Sequence, residues 1–461
     1  MESKDAETLA WSQEEFGGAK LGNALRTQRL VRIAAGVAQH PGGRVSEVFE
    51  TSAEREAVYR HLSNGRVPVD GVASAAHMAC AKRCAASGAP FAYVPVDGTS
   101  LNITDRTQDK GLGPIGPRSK KARGLQVMNA IAVAADGTPA GVCGQSYWAR
   151  EESKASPARR RPFEERESRH WLEAMEQAER AFVSAGGDCM PWYQCDRGGD
   201  FQELLSWVHE HNALVTVRAT HNRTVADDQA IRIRELLETQ SAAGSYALPV
   251  IGGTKRKKRD ATMEVRFCRA PIVIGSGANT REIEMFAVLT REVGTTPPGE
   301  KPIEWLLLTT FPVESYGDAT QVIFGYSQRW RVEEHHKSWK SCCRVEDTQL
   351  RDFDSIVQWA IVLACVALRI ERLKYLARNR PEAPADVDLN RDELDAIILL
   401  SRTTAYAAGD TPPIAVVVRW IANMGGYTGK SSGGPPGTVV DRKSTRLNSS
   451  HSSVSRMPSS A

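Results

Sequence analysis

Apolar residues recur three and four positions apart through most of residues 10–90, then give way to runs and two-residue alternation. The first pattern is that of helices with one buried face, the second that of strands. "KLGNALRTQRLVRIAAGVAQH" sets Leu21, Ala24 and Leu25 near Leu30, Val31 and Ile33 at helical spacing, with Arg26 and Arg29 three apart. Thr51 followed by Glu54 predicts a capping box opening "SAEREAVYRHLSN". "FAYVPVDGTSLNIT" reads as a β-rich run ending in Asp97, before Gly98. "GLQVMNAIAVAADGTPAGVCGQSYW" reads as two strands joined by a turn at Asp136-Gly137. A helix with a glycine exit follows in "RHWLEAMEQAERAFVSAGG". "MPWYQCDRGGDFQELLSWVHEHN" is a short strand, a glycine loop holding Asp196 and a helix, and "ALVTVRAT" is a further strand. Alternating strands and helices predict an α/β sheet domain. Residues 225–310 are mostly strand-like, a β insertion, and from Tyr326 the helical pattern continues to about residue 378. A Pro- and acid-containing linker and a small helical tail domain complete the pattern.

Composition narrows the class without identifying a partner. At 461 residues the chain exceeds one ordinary core, and 41% hydrophobic with 25% charged residues is the balance of a soluble globular protein. Lys plus Arg number 59 against 55 Asp plus Glu, a net charge of +4, so any polyanion partner must be argued from local patches. The N-terminus has no apolar core of a secretory signal. The apolar run "WAIVLACVAL" from Trp359 is about half a membrane span and predicts a buried core helix. The nine cysteines are irregularly spaced. His77, Cys80 and Cys84 share a helical repeat, but no second ligand pair follows at zinc-finger spacing, which favours reduced thiols in a cytoplasmic protein. "KRKKR" (Lys255 to Arg259) reads as a solvated loop between strands, with nucleic-acid contact as the alternative. "GGYTGKSS" lacks the first glycine and preceding strand of a phosphate loop.

Chemistry concentrates in "YSQRWRVEEHHKSWK". Tyr326, Arg329, Glu333 and Lys340 are 3, 4 and 7 apart. On a continuous helix they would fall within an arc of roughly 60°. Val332, Trp339 and Cys343 occupy another face suited to core packing. Such a charged face is equally the mark of surface pairing. Asp97 and Asp196 alter that balance, because both follow β runs, and strand ends are where α/β sheets assemble sites. Three carboxylates are a hard-oxygen donor set for Mg2+. Two such ions stabilise the attacking and leaving oxygens of a phosphoryl displacement. The basic and aromatic neighbours of Glu333 suit a phosphate backbone.

The stretches "PVDGTSL", "CDRGGDF", "IEWLLLTTFPVES" and "YSQRWRVEEHHKSWK" resemble those of bacterial DDE cut-and-paste transposases, closest to the insertion-sequence-four family and its transposon-five type. The resemblance runs from about Trp11 to Gly437 and is strongest at 300–345. It implies an α/β fold with a ribonuclease-H-like catalytic core and a β-strand insertion, a helical N-terminal DNA-binding domain and a helical C-terminal domain. The implied boundaries are 1–70 for transposon-end binding, 71–375 for the catalytic core with its insertion at 225–310, 376–440 for a truncated C-terminal domain and 441–461 for a non-native disordered tail. Asp97, Asp196 and Glu333 would bind two Mg2+ ions per active site, with Mn2+ able to substitute. Tyr326, Arg329 and Lys340 would hold the transposon-end backbone. Trp305 would stack near a flipped base during hairpin formation. Arg218 would contact DNA, and Arg26 with Arg29 would serve the end-binding helix. The implied partners are double-stranded DNA, as inverted-repeat ends and target, and a second copy of the chain in a synaptic homodimer, with no membrane. The implied location is the bacterial cytoplasm, at the nucleoid.

Departures are local. Gln39-His40 stands where the family has a basic-aromatic pair, so a different end sequence is expected, and Gly198 replaces an acid after "CDR". From Asp441 the sequence "DRKSTRLNSSHSSVSRMPSSA" is Ser-rich without apolar periodicity and resembles a translated sequencing adaptor in place of a dimerisation helix. A rival expectation follows: a protein that occupies transposon ends without cutting, because it cannot assemble a synapse. A structure-specific nuclease on the same fold is a third.

Overall fold

The computed structural model describes residues 2–116, 121–152, 161–226, 231–250, 252, 257–275, 280–424 and 427. In chain order the N-terminal elements are α1 (Glu2–Phe16), α2 (Ala24–Gln39), α3 (Val45–Val48), α4 (Ser52–Leu62) and α5 (Val69–Ala86). Next come β1 (Phe91–Asn102), β2 (Gly113–Pro114), β3 (Arg123–Val133), β4 (Pro139–Trp148), α6 (Arg169–Ala185), β5 (Met190–Cys195), α7 (Gln202–Glu210) and β6 (Leu214–Arg218). Then follow α8 (Ile233–Thr239), β7 (Gly244–Val250), β8 (Arg259–Arg269), β9 (Ile272–Ile274), β10 (Arg281–Ile283), β11 (Phe286–Val293) and β12 (Glu304–Thr309). The last helices are α9 (Tyr316–Ser327), α10 (Trp330–Ser341), α11 (Phe353–Asn379), α12 (Arg391–Ser401) and α13 (Ile414–Met424). The fold is thus a helical N-terminal region, a mixed α/β core and C-terminal helices, the arrangement expected from the resemblance. The tail from Asp441, most of the 425–432 stretch, and Lys255 with Arg256 of the basic run lie outside the described residues.

The described residues form two compact units. One draws on residues up to Ala92, on Asp97–Cys189 and on the chain from Trp330; the other draws on Tyr93–Val96 and Met190–Arg329. In the first unit the local signals act as predicted. Thr51 Oγ1 accepts from Glu54 N and the Glu54 carboxylate accepts from Thr51 N, the reciprocal pairing that satisfies the exposed amides opening α4. β3 and β4 pair antiparallel around a turn in which Gly137 takes φ 90°. Leu25, by contrast, is 71% exposed; the buried face of α2 is Leu30, Val31, Ile33, Ala34, Ala35 and Val37. One core joins this face to α4, α5, β3, α10 and α11. α11 is long and apolar enough to cross a membrane by length and composition alone, yet its apolar run lies inside this core.

β1 departs from expectation. It continues through Gly98, which stays extended, to Asn102, so Asp97 is a mid-strand residue rather than a strand end. Gly98 has Met128 Cε 3.3 Å from where a Cβ would stand, so a larger residue there would press on that side chain.

In the second unit β5 and β6 run parallel, with Cys195 paired to Val217. β12 pairs antiparallel with β6, β11 with β12, β8 with β11 and β7 with β8. The strand-rich insertion therefore extends the sheet of this unit through an antiparallel edge. The hairpin of β9 and β10 stands apart from that path.

Buried histidines, His61 and His77 among them, make the first unit acid-sensitive. Burial, reinforced by Arg29 and Arg26, depresses His61 to about 4, and burial depresses His77 to about 3. Both must be neutral in the folded protein, whereas the unfolded chain protonates them near 6.5. Their contribution is complete above pH 6.5 and is lost as pH falls toward 4, by up to about 1.4 kcal/mol per pH unit for each. Urea denaturation between pH 7.5 and 5 should show this loss, and His61→Gln should flatten it.

Candidate active site

The continuous helix expected from Tyr326 is broken. α9 ends at Ser327 and α10 begins at Trp330. Between them Gln328 and Arg329 form a tight turn, with Arg329 N donating to Tyr326 O at 3.0 Å. The buried Gln328 amide donates to Phe324 O at 3.3 Å and Ser327 Oγ at 3.0 Å, closing the end of α9. Tyr326 and Arg329 consequently belong to the second unit, and Glu333 and Lys340 to the first. The single four-residue arc does not exist as a rigid helix face; only Glu333 and Lys340, seven residues apart, share one helix.

In the second unit a group forms at the carboxyl ends of the parallel strands. Asp196 follows β5 and Arg218 ends β6, side by side in the register that pairs Cys195 with Val217. Asp196 Oδ1 accepts from Gly198 N at 2.7 Å, so the carboxylate is oriented by the glycine turn that follows it. Arg218 donates to Glu304 O at 3.0 Å and hydrogen-bonds the Tyr326 phenol. Burial lowers Arg218, against the opposing pull of Tyr326; burial raises Tyr326, against the pull of Arg329 and Arg218. Half-buried Trp305, second in β12, meets Tyr326 edge-on with ring centroids 5.1 Å apart. Asp196, Arg218, Trp305, Tyr326 and Arg329 thus converge within one unit.

Sequence reasoning passed over Asp200. Its carboxylate is fully buried, Arg223 Nη1 approaches Oδ1 at 2.5 Å, and Oδ2 accepts from Thr220 N at 2.6 Å and His221 N at 3.2 Å. This ion pair ties the glycine loop after Asp196 to the segment after β6. Asp200 stood in the quoted "CDRGGDF", but its partner Arg223 is 23 residues away, beyond any local periodicity.

In the first unit Asp97 Oδ1 accepts from Gly98 N at 2.7 Å. Glu333 occupies the first turn of α10, where a carboxylate faces the positive end of the helix dipole. Lys340 Nζ donates to Thr99 Oγ1 at 2.7 Å, joining α10 to β1 two residues beyond Asp97. Burial lowers Lys340, partly countered by Glu346, which in turn accepts from Asn102 N at 2.8 Å. Val332, Trp339 and Cys343 are fully buried, as expected for the opposite face. Arg26 donates to Leu21 O at 2.9 Å and Arg66 O at 3.2 Å, a brace within its own domain, while Arg29 is exposed on α2.

The three acids are all-oxygen donors, the set a hard divalent cation takes. They are divided between the units, two in one and one in the other. Within either unit, among the described residues, no group of three or more His, Cys, Asp or Glu side chains is gathered to hold a metal ion. His77, Cys80 and Cys84 are buried interior positions of α5.

Two protein-family models match the chain. The transposase DNA-binding model covers residues 8–67, and the transposase DDE domain model covers residues 165–369. The first span holds Arg26 and Arg29; the second holds Asp196, Arg218, Trp305, Tyr326, Arg329, Glu333 and Lys340, with Asp97 N-terminal to it. Together they support a DNA-binding polypeptide with a DDE nuclease domain.

Proposed function

From a DNA-binding module and a DDE transposase domain in one chain, we propose a cut-and-paste transposase of the insertion-sequence-four, transposon-five type. The observation that carries this reading is the grouping of Asp196 with Arg218, Tyr326, Arg329 and Trp305, an acid beside phosphate-binding and base-stacking groups. Asp97 and Glu333 would complete the acidic triad with Asp196, and the three carboxylates would hold two Mg2+ ions, or Mn2+ in their place. Bound there, the divalent ions supply Lewis-acid stabilisation of the oxygens exchanged at phosphorus. Arg218 and Arg329 neutralise the scissile-strand backbone, and the Tyr326 phenol fixes the Arg218 fork. Lys340 extends the backbone contact from α10. Arg29, exposed on α2, meets the transposon end, and Arg26 shapes the loop that presents it.

The reaction proceeds by strand nicking, attack of the freed 3′ hydroxyl on the opposite strand to give a hairpin, hairpin opening and strand transfer. Two copies of the chain pair two DNA ends, at the nucleoid in the cytoplasm. The end-binding domain extends to about residue 70 and the catalytic core to about 375, with the insertion at 225–310. A supercoiled plasmid carrying the inverted repeats that flank this gene tests the reading. Mg2+-dependent nicks at the repeat ends, followed by hairpins and lost on chelation, are expected. A gel shift without product in Mg2+ or Mn2+ would leave only an end-binding protein.

Trp305 separates the steps. Stacking of one base on an aromatic ring is worth about 1–3 kcal/mol. Trp305→Ala should therefore slow hairpin formation by roughly tenfold or more while leaving the first nick near the wild-type rate, as resolved by denaturing gels of end-labelled DNA.

A further inference from the structure

The face of β3 that joins the first unit's core carries Leu125, Val127 and Ile131, all fully buried, and a single polar interruption, Asn129, also fully buried. Its cross-strand partner on β4 is Gln145, likewise buried. Gln145 Nε2 donates to Asn129 Oδ1 at 2.7 Å. That leaves Asn129 Nδ2 directed at His336 Nε2, 2.9 Å away on α10. Since the amide nitrogen can only donate, His336 Nε2 accepts, and the ring is neutral with its proton on Nδ1. Gln145 N also ties β4 to α6, donating to Gln177 Oε1 at 2.9 Å. Polar groups at three core positions carry a desolvation penalty that apolar residues of similar volume would avoid. Hydrogen bonds impose what apolar contact does not, a fixed rotation and register.

We propose that Gln145, Asn129 and His336 form a positioning relay that fixes α10 against β3 and thereby sets the carboxylate of Glu333. The inference rests on reading Glu333 as a metal-binding acid. His336 lies three residues after Glu333, less than one helical turn, so a rotation of α10 that breaks the Asn129 bond also turns Glu333. At the other end of α10 the Lys340–Thr99 bond joins the helix to the strand that bears Asp97. The apolar contacts of Val332 and Trp339 bury the helix, and the two polar ties define its register. None of the three relay residues is placed on DNA or metal; each acts through the helix.

Hydrogen exchange of residues 330–341 in the full chain, with the Mg2+ dependence of plasmid-end nicking, tests the relay. Asn129→Leu and His336→Leu should speed exchange in α10 about tenfold and raise the half-saturating Mg2+ concentration about tenfold, the usual lower bound for outer-shell partners of a metal site. His336→Gln places an acceptor where Nε2 stood and should restore both readouts to within about twofold of wild type. Should the leucine variants not fold, Asn129→Thr, too short to span both neighbours, carries the same expectation. Wild-type exchange and Mg2+ response in these variants, or no recovery in His336→Gln, would overturn the relay. Glu333→Gln separates the two claims: it should abolish nicking with α10 exchange unchanged. Nicking that survives it removes the active-site reading, whereas the exchange data alone decide whether the helix is held by the relay.

Discussion

Alanine at Asp196 should reduce strand nicking by about three orders of magnitude or more, with transposon-end binding nearly unchanged. Metal-ion stabilisation of a phosphoryl displacement is worth several kcal/mol, and each 1.4 kcal/mol is tenfold in rate. Binding persists because the matched DNA-binding segment, residues 8–67, is remote in sequence from the acid and carries its own helices and core residues. On the proposed reading, in which the three acids act together, Asp97→Ala and Glu333→Ala should match it in size. The comparison uses gel shift and nicking on one labelled end. Normal nicking by Asp196→Ala would remove the assignment even if DNA binding were intact.

Asp200→Ala should destabilise the second unit by about 3–5 kcal/mol, the cost of leaving a buried charge without its partner. Arg223, 12% exposed at its side chain, would lose Asp200, and the amides of Thr220 and His221 would lose their acceptor. The glycine loop that orients Asp196 would then be untied from the end of β6, so nicking should fall with stability. Denaturant unfolding followed by tryptophan fluorescence checks the first effect; Trp192 and Trp207 lie buried in the same unit. The double change Asp200→Leu with Arg223→Met should recover much of the stability, because an apolar pair carries no unpaired charge.

What the sequence made legible was local. The capping pair Thr51 and Glu54, the Asp136-Gly137 turn and the Gly186 exit from α6 each follow from a few adjacent residues, and each stands as read. Apolar periodicity placed Val332, Trp339 and Cys343 in the core. The break between α9 and α10 escaped notice because helical spacing runs through Tyr326, Arg329 and Glu333; the interruption comes from the buried Gln328 amide turning back on α9. Asp97 read as a strand end because Gly98 follows it, whereas the strand continues through the glycine to Asn102. Leu25 read with the core set and is exposed, because the helix turns its buried face to Leu30 and Ile33. Partners such as Asp200 with Arg223, or Asn129 with His336, are separated by 23 and 207 residues, and only the sheet brings them together. For the candidate site, residue types were legible and their distribution between two units was not.

The most direct measurement is anomalous diffraction from crystals of the protein bound to its transposon end and soaked in Mn2+. Peaks ligated jointly by the carboxylates of Asp97, Asp196 and Glu333 are the expected result. Mn2+ held without Asp196, or with Asp97 and Glu333 turned to separate surroundings, would contradict a common metal site.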